Sequence, residues 1–298
     1  MKIGIVGHRW GWHAKALQEA LARRGIAVAF FDITCLVARL SMRPWLAVNG
    51  EPLEQYDAFF VRLIPGGSLE QVIFRVDALH RLENAGVRII NPPAVIERTV
   101  DKYYTSTLLE DAGLPTPRTV VTEQFSDAMD AFHELGGDVV VKPIFGSEGR
   151  GMARVSDPDT AYRVFRALEL GRYVYYLQAF IPHHQEDIRV FVIGGEAVAA
   201  MVRRGKTWKT NVAQGAKAEA VTLDAELREL STRAAEALGA DYAGVDILPA
   251  EDGRFTVIEI NGIPGWQGLG SATGINVAEL LVDYALEDPH GGKKAKKR

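Results

Sequence analysis

The stretch Val257-Ile258-Glu259-Ile260-Asn261-Gly262 (VIEING) puts an acid and an amide two residues apart inside an apolar run. Alternate side chains of a strand share a face, so Glu259 and Asn261 point one way and Ile258 and Ile260 the other. A bare carboxylate on a half-buried face is costly unless a partner compensates it. The segment upstream, GVDILPAEDGRFT (244–256), supplies a candidate neighbour. Asp252-Gly253 is a turn signal. If those two residues are the loop, Glu251 faces Arg254, and counting inward sets Asp246 opposite Glu259. Asp246, Glu259 and Asn261 then gather on one face. Such an oxygen-only set suits Mg²⁺, which keeps waters and shares substrate phosphates rather than being caged by protein. A glutamate flanked by two further ligands could bridge two ions. A lone E-x-N is more often the solvated side of a hairpin; Asp246 in register and a glycine loop upstream favour metal. Pro249 removes one ladder donor and threatens the register.

The glycine loop is KPIFGSEGRGM (142–152), with Gly146, Gly149 and Gly151 around Ser147. Glycines let backbone N–H groups turn inward and approach phosphate oxygens. No G-K-[ST] closes the loop, so it is not a Walker A motif. Lys142 instead precedes it at a strand end and can reach the same phosphates as a point charge. Lys102, near a helix start, is a second candidate. By themselves such glycines also mark a hairpin tip, and most lysines are solvated.

The first third alternates strand and helix: KIGIVG (2–7), a helix with a Leu17, Ala20, Leu21 stripe closed by Gly25, IAVAFFD, DAFFVRLIP (57–65), and a helix end feeding VRIINPP. This βαβ pattern predicts a parallel sheet of Rossmann type. Pro92 and Pro93 mark a boundary. A helix from Thr99 closed by Gly113, strands flanking the glycine loop, a strand pair turning at Gly194-Gly195 and the last hairpin predict an α+β remainder. We expect a Rossmann-like domain over 1–95, a central part with the glycine loop over 96–176, a part with the metal site over 177–290, and a disordered basic tail over 291–298.

Composition narrows the function. A chain of 298 residues, 47% hydrophobic and 24% charged, is globular in type and long enough for about two domains. One cysteine, Cys35, and no secretory leader suit a cytoplasmic protein. No apolar run approaches the roughly 20 residues of a membrane helix. The net charge of −4 argues against a general nucleic-acid binder. His8, His13, His183 and His184 lack the spacing and cysteine partners of a zinc site. A homo-oligomer, most simply a dimer, is the default expectation.

In combination, K-x-x-x-G-S-x-G-x-G (142–151), Asp187-Ile188-Arg189, RRGKTWKTNVAQG (203–215) and GVDIL…VIEINGIPG (244–265) resemble the ATP-grasp superfamily, and within it the RimK-like ligases. The resemblance extends from the first strand to about residue 285. It implies an ATP- and Mg²⁺-dependent carboxylate–amine ligase, with two ions and Mn²⁺ as a substitute: a carboxylate attacks the γ-phosphate, and an amine displaces phosphate from the acylphosphate. It further implies that Lys102 and Lys142 contact nucleotide phosphates beneath the loop from Gly146 to Met152. Gln178, Phe180 and Ile181 form a hinge that meets adenine, and Asp187 holds the ribose hydroxyls. Arg203 steadies the transferred phosphoryl group, Lys209 and Asn211 lie near the phosphates and acyl substrate, and Asp246, Glu259 and Asn261 hold metal. Relatives often carry an acid where this chain has Ala179, which leaves Gln178 and the backbone to read the base. Arg204 points away from Arg203 and should stay outside the site. Asp187 and Arg189 could equally make surface cross-strand pairs.

The resemblance implies glutamate as the amino-acid substrate and either a small one-carbon coenzyme of pterin or furan type or a protein tail as acceptor. Arg9 and Arg62 lie at strand ends of the first domain, where open α/β sheets bind ligands, and could hold a carboxylate. Trp10, Trp12 and Trp266 could stack on an aromatic ring, which favours the coenzyme. A non-catalytic nucleotide-binding protein is the competing class; a nicotinamide oxidoreductase rests only on the opening βαβ.

Overall fold

The structure is a computed structural model that describes residues 1–146, 149–210 and 216–287. Ser147, Asn211 and the basic tail lie outside the described residues. The chain opens with β1 (Ile3–Val6), α1 (Trp12–Arg23) and β2 (Val28–Phe31), followed by a small antiparallel sheet of β3 (Leu36–Ala38), β4 (Leu46–Val48) and β5 (Glu51–Pro52). Next come β6 (Ala58–Val61), α2 (Leu69–Asn84), β7 (Arg88–Ile90) and α3 (Pro93–Val100). β1, β2, β6 and β7 form one parallel sheet in the order β2-β1-β6-β7. β1 and β6 are buried throughout, as unbroken apolar strands covered on both faces must be. The β3–β5 sheet was not anticipated; its strands are too short to show a period of two.

The single helix expected from Thr99 is two. Asp101 is extended (φ −88°, ψ 103°) and its side chain accepts from the Tyr104 N–H, so it ends α3 and caps α4 (Lys102–Asp111). The central part continues through β8 (Thr119–Thr122), α5 (Phe125–Glu134), β9 (Val139–Lys142), β10 (Ala153–Val155), α6 (Pro158–Leu170) and β11 (Tyr175–Ala179). Its sheet runs β10-β9-β11-β8 and packs on α5 and α6 around Phe132, Phe165 and Tyr175. A boundary at residue 176 would fall inside β11, which pairs with both β8 and β9.

The last part holds β12 (Glu186–Ile193), β13 (Glu196–Arg204), β14 (Lys217–Ala220), α7 (Ala225–Leu238), β15 (Tyr242–Pro249), β16 (Phe255–Asn261), α8 (Gln267–Thr273) and α9 (Val277–Glu287). The sheet order is β14-β13-β12-β15-β16. α7 covers one face, while α1 and α9 meet on the other around Leu17, Phe191, Trp266 and Leu281. The N-terminal sheet is also tied in through Asn91, which is fully buried. Its amide donates to the carbonyls of Tyr242 (2.7 Å) and Gly262 (2.6 Å) and accepts from the Tyr242 N–H (3.1 Å). A Cβ at Gly262 would lie 2.4 Å from Thr99 Oγ1, so only glycine lets α3 close on the end of β16.

The last hairpin differs from the two-residue turn expected. Ala250 N–H bonds to Arg254 C=O, which leaves three residues in the loop, and the ladder continues with Pro249 opposite Phe255 and Ile247 opposite Val257. A bulge then shifts the register by one, so Asp246 does face Glu259 and Gly244 faces Asn261.

Candidate functional site

One face of the C-terminal sheet carries the chemistry. Arg203 on β13 lies opposite Asp187 on β12; two residues along β12, Arg189 lies opposite Asp246 on β15, and Asp246 opposite Glu259 on β16. Arg203 is 3% exposed and Arg204 exposed, as the alternation of β13 requires. Arg204 pairs with Glu186 at the surface.

Asp187 and Asp246 are not free carboxylates. Arg203 grips Asp187 with Nε and Nη2, both at 2.6 Å, and Thr210 Oγ1 donates to the same carboxylate at 2.5 Å. Arg189 grips Asp246 the same way at 2.6 Å, and Arg203 Nη2 lies 2.9 Å from Asp246 Oδ2. The pairs lie across the strands, as weighed, but they are buried rather than on the surface. Burial pushes the Asp246 carboxyl up, yet Arg189 and Arg203 outweigh it and hold it below its ordinary range. Burial opposes the Arg203 charge, and Asp246 and Asp187 more than restore it.

Glu259 differs from both aspartates. It makes no hydrogen bond or ion pair among the described residues, and burial, reinforced by Asp246, raises its carboxyl while Lys102 and Lys142 pull it down. Next to it, the Asn261 Nδ2 atom is buried and has no hydrogen-bond partner among the described residues. A half-turn of that amide puts its oxygen there instead. Asp246 Oδ1, the Glu259 carboxylate and the Asn261 amide are hard oxygen donors with unused capacity, so the residues fit Mg²⁺. Among the described residues no cluster of three or more His, Cys, Asp or Glu side chains is placed to hold a metal.

The two lysines converge on Glu259 from the central part. Burial lowers the Lys142 ammonium to about 8, with Glu259 opposing and Lys102 adding to the shift. Burial also lowers Lys102, against Glu259 and Asp101. Lys102, the first residue of α4, donates Nζ to the Gly146 carbonyl at 2.6 Å and so braces the glycine loop. Gly149 (φ +68°) and Gly151 (φ +75°) are left-handed, which gives the loop its curl. Lys209 Nζ donates to the Met152 carbonyl at 2.8 Å, joining the segment after β13 to that loop.

A narrow cavity of about 70 Å³ is lined by Lys142, Met152, Gln178, Phe180, Ile181, Asp187, Arg203, Lys209, Asp246 and Glu259, all singled out from the sequence. Val140, Leu248 and Ile258 add apolar wall, and Trp208 and His183 also line it. Ile258 was expected to point away; the bulge beside it turns it into the cavity, while Ile260 stays in the α7 core. The hinge also differs. The Gln178 side chain does not point to a base: its Oε1 accepts from Lys142 Nζ at 2.5 Å. The Phe180 N–H is taken by the Asp138 carbonyl (2.9 Å), and the Ile181 carbonyl lies 2.8 Å from His183 Nδ1.

The acceptor-side expectations divide. Trp10 and Trp12 are exposed, with Arg9 and Lys15 over the Trp10 ring. Trp266 is 1% exposed and part of the core, so it cannot stack on a ligand. Arg62 is a strut: it donates to Tyr242 OH (2.9 Å) and the Pro264 carbonyl (2.7 Å) and lies over the Trp266 ring. The bidentate carboxylate role is withdrawn for Arg62. Arg189 was weighed only as a surface partner, and Thr210 was missed.

Residues 99–285 match the RimK-like ATP-grasp domain. The chain is 34% identical over 318 residues to the tetrahydromethanopterin:alpha-L-glutamate ligase of Methanosarcina acetivorans, covering 95% of this chain and 98% of that protein. It is 34% identical over 206 residues to the alpha-aminoadipate–LysW ligase LysX of Sulfurisphaera tokodaii, covering 67% and 72%. Among solved structures, the ATP-grasp ligase PsnB complexed with minimal precursor, Mg and ADP superposes with a TM-score of 0.75 at 22% identity over 96% of this chain and 98% of that one, which shows the shared fold. The chain belongs to the RimK-like ATP-grasp family and is an ATP-dependent ligase that forms a carbon–nitrogen bond.

Proposed function

We propose that this ligase adds L-glutamate to a small one-carbon coenzyme of pterin type through an acylphosphate. The observation that carries the reading is the convergence of Lys142, Glu259, Asp246 and Arg203 around one cavity, with the Lys102 charge also acting on Glu259, in a chain similar along its length to a pterin-coenzyme glutamate ligase. Lys142 and Lys102 neutralise nucleotide phosphate charge. Arg203, fixed by Asp187 and Asp246, keeps Nη1 for the transferring phosphoryl group. The substrate carboxylate attacks the γ-phosphate and ADP leaves; the amine then attacks the acyl carbon and phosphate leaves. The phosphoryl step needs fixed charge more than a protein nucleophile. Asp246, Glu259 and Asn261 would hold two Mg²⁺ ions, or Mn²⁺, which supply charge neutralisation at the transferring oxygens. Val140, Leu248 and Ile258 wall the base, and exposed Trp10 and Trp12 offer a stacking surface for the coenzyme ring. We read the N-terminal parallel sheet as the Rossmann-like domain that precedes the ATP-grasp pair, with the division between the pair after Ala179.

Similarity to a LysW ligase supports a second reading, in which the acceptor is a carrier protein. One experiment separates them: ADP release with ATP, Mg²⁺ and glutamate against reduced pterin acceptors and against acidic-tailed carrier proteins, with product masses. A one-glutamate gain on the pterin supports the first reading. A gain only on a carrier protein replaces it with the second, and turnover only with another amino acid removes glutamate.

A further inference from the structure

A directional chain of hydrogen bonds runs away from the nucleotide cavity behind Lys142. An ammonium only donates, so the group 2.5 Å from Lys142 Nζ must be the amide oxygen of Gln178. That fixes the amide: Nε2 points the other way, to Thr119 Oγ1 (3.1 Å) and Tyr176 OH (3.3 Å). The Tyr176 hydroxyl receives that proton and is left to donate its own to Ser106 Oγ, 2.8 Å away. Gln178 and Tyr176 are 4% and 2% exposed, so water does not compete for these bonds. The chain joins β9 to β11, β8 and α4, and Ser106 lies one turn beyond Lys102 on α4. One relay therefore ties together the elements that carry both lysines.

We propose that Gln178, backed by Tyr176 and Ser106, is a positioning residue that aims the Lys142 ammonium at the nucleotide phosphates and does not read the base. This rests on the assignment of Lys142 to phosphate made above. A buried glutamine whose two N–H groups are both given to acceptors inside the protein has no donor left to offer adenine. Loss of the relay frees Lys142 to swing among rotamers, and the cost falls on ligands that carry phosphates.

The test compares ATP, ADP and adenosine affinity, by competition with a fluorescent nucleotide, for the full chain and three variants. Gln178→Leu is expected to weaken ATP and ADP about tenfold, as a lost charge-assisted hydrogen bond would, and to leave adenosine within about twofold. Tyr176→Phe, which removes one oxygen atom from a packed ring, is expected to weaken ATP about threefold with the same pattern. It also keeps the test open should Gln178→Leu not fold. Equal losses for adenosine and ATP would show a base contact or a general structural role and overturn the proposal. So would unchanged ATP affinity in both variants while Lys142→Ala still weakens ATP. Unchanged ATP affinity in Lys142→Ala would instead sink the phosphate assignment, and the relay's purpose with it.

Discussion

The quartet of buried Asp187, Arg203 and Asp246 with the partly buried Arg189 is neutral as a unit, and removing one member breaks that balance. Asp187→Leu leaves Arg203, 3% exposed, with a single bond to Asp246 in place of three contacts, and leaves the Thr210 hydroxyl without its acceptor. Breaking a buried pair from one side costs about 3–5 kcal/mol, because the remaining charge stays desolvated. At roughly 2–4 °C per kcal/mol for domains of this size, the melting temperature should fall by about 6–20 °C. The double variant Asp187→Leu/Arg203→Met removes both charges and leaves Asp246 still gripped by Arg189 at 2.6 Å. It should therefore be more stable than Asp187→Leu alone, with a coupling energy of about 2 kcal/mol or more. The assay is urea unfolding at pH 7 without nucleotide, in parallel with ADP release. The double variant should regain stability but no turnover, since Arg203 is gone. Additive losses within about 0.5 kcal/mol would refute the picture of a charge-balanced network.

Glu259→Gln should abolish ADP release while leaving the melting temperature nearly unchanged, because the carboxylate makes no hydrogen bond among the described residues; near-normal turnover would move the metal site elsewhere. His13, held neutral to about pH 4 by burial and then by Arg62, takes no proton in the folded protein while the unfolded chain protonates near its ordinary value of about 6.5. Its folded pKa lies below the unfolded one, so stability is full above pH 6.5 and falls toward pH 4. The loss is at most about 3 kcal/mol before screening by partial exposure; urea midpoints at pH 7 and pH 5 should converge in His13→Gln, and an unchanged gap would remove His13 as the cause. Ile258→Ala should weaken adenosine and ATP by the same factor, about fivefold for roughly 1 kcal/mol of apolar contact; a loss confined to ATP would show that Ile258 does not wall the base. Trp10→Ala should raise the KM for a pterin acceptor severalfold and leave that for ATP alone, and an unchanged acceptor KM would take the ring elsewhere.

Period-two alternation and turn chemistry in single segments carried much of the site into view. Glu259 and Asn261 share a face, Arg203 and Arg204 divide between faces, and the glycines after Lys142 curl as their φ values allow. What the sequence hid depends on neighbours far along the chain. That Asp246 is already gripped by Arg189 and Arg203 follows from β12 lying between β13 and β15, a pairing order no single strand reveals. Trp266 and Arg62 carry the residue types of a ligand site, and only the docking of α1 and β6 against the C-terminal sheet turns them into core and strut. Gln178 sits in a hinge motif, yet the lysine beside it on β9 fixes which way its amide faces.

The β15–β16 hairpin shows how a correct pairing can rest on two compensating departures from the simplest geometry. A two-residue turn at Asp252-Gly253 would pair Asp246 with Glu259 along a regular ladder. The actual turn has three loop residues, and a regular ladder from it would set Asp246 against Ile258, with Glu259 rotated to the α7 face. The bulge at Val257-Ile258 absorbs one residue and restores the pairing. It also does what a regular strand cannot: two consecutive residues, Ile258 and Glu259, both line the cavity, while Val257 and Ile260 remain in the core beneath α7. Bulges recur beside active sites because they re-aim side chains in this way. Here the extra residue places an apolar side chain, Ile258, and a carboxylate, Glu259, side by side on the cavity wall.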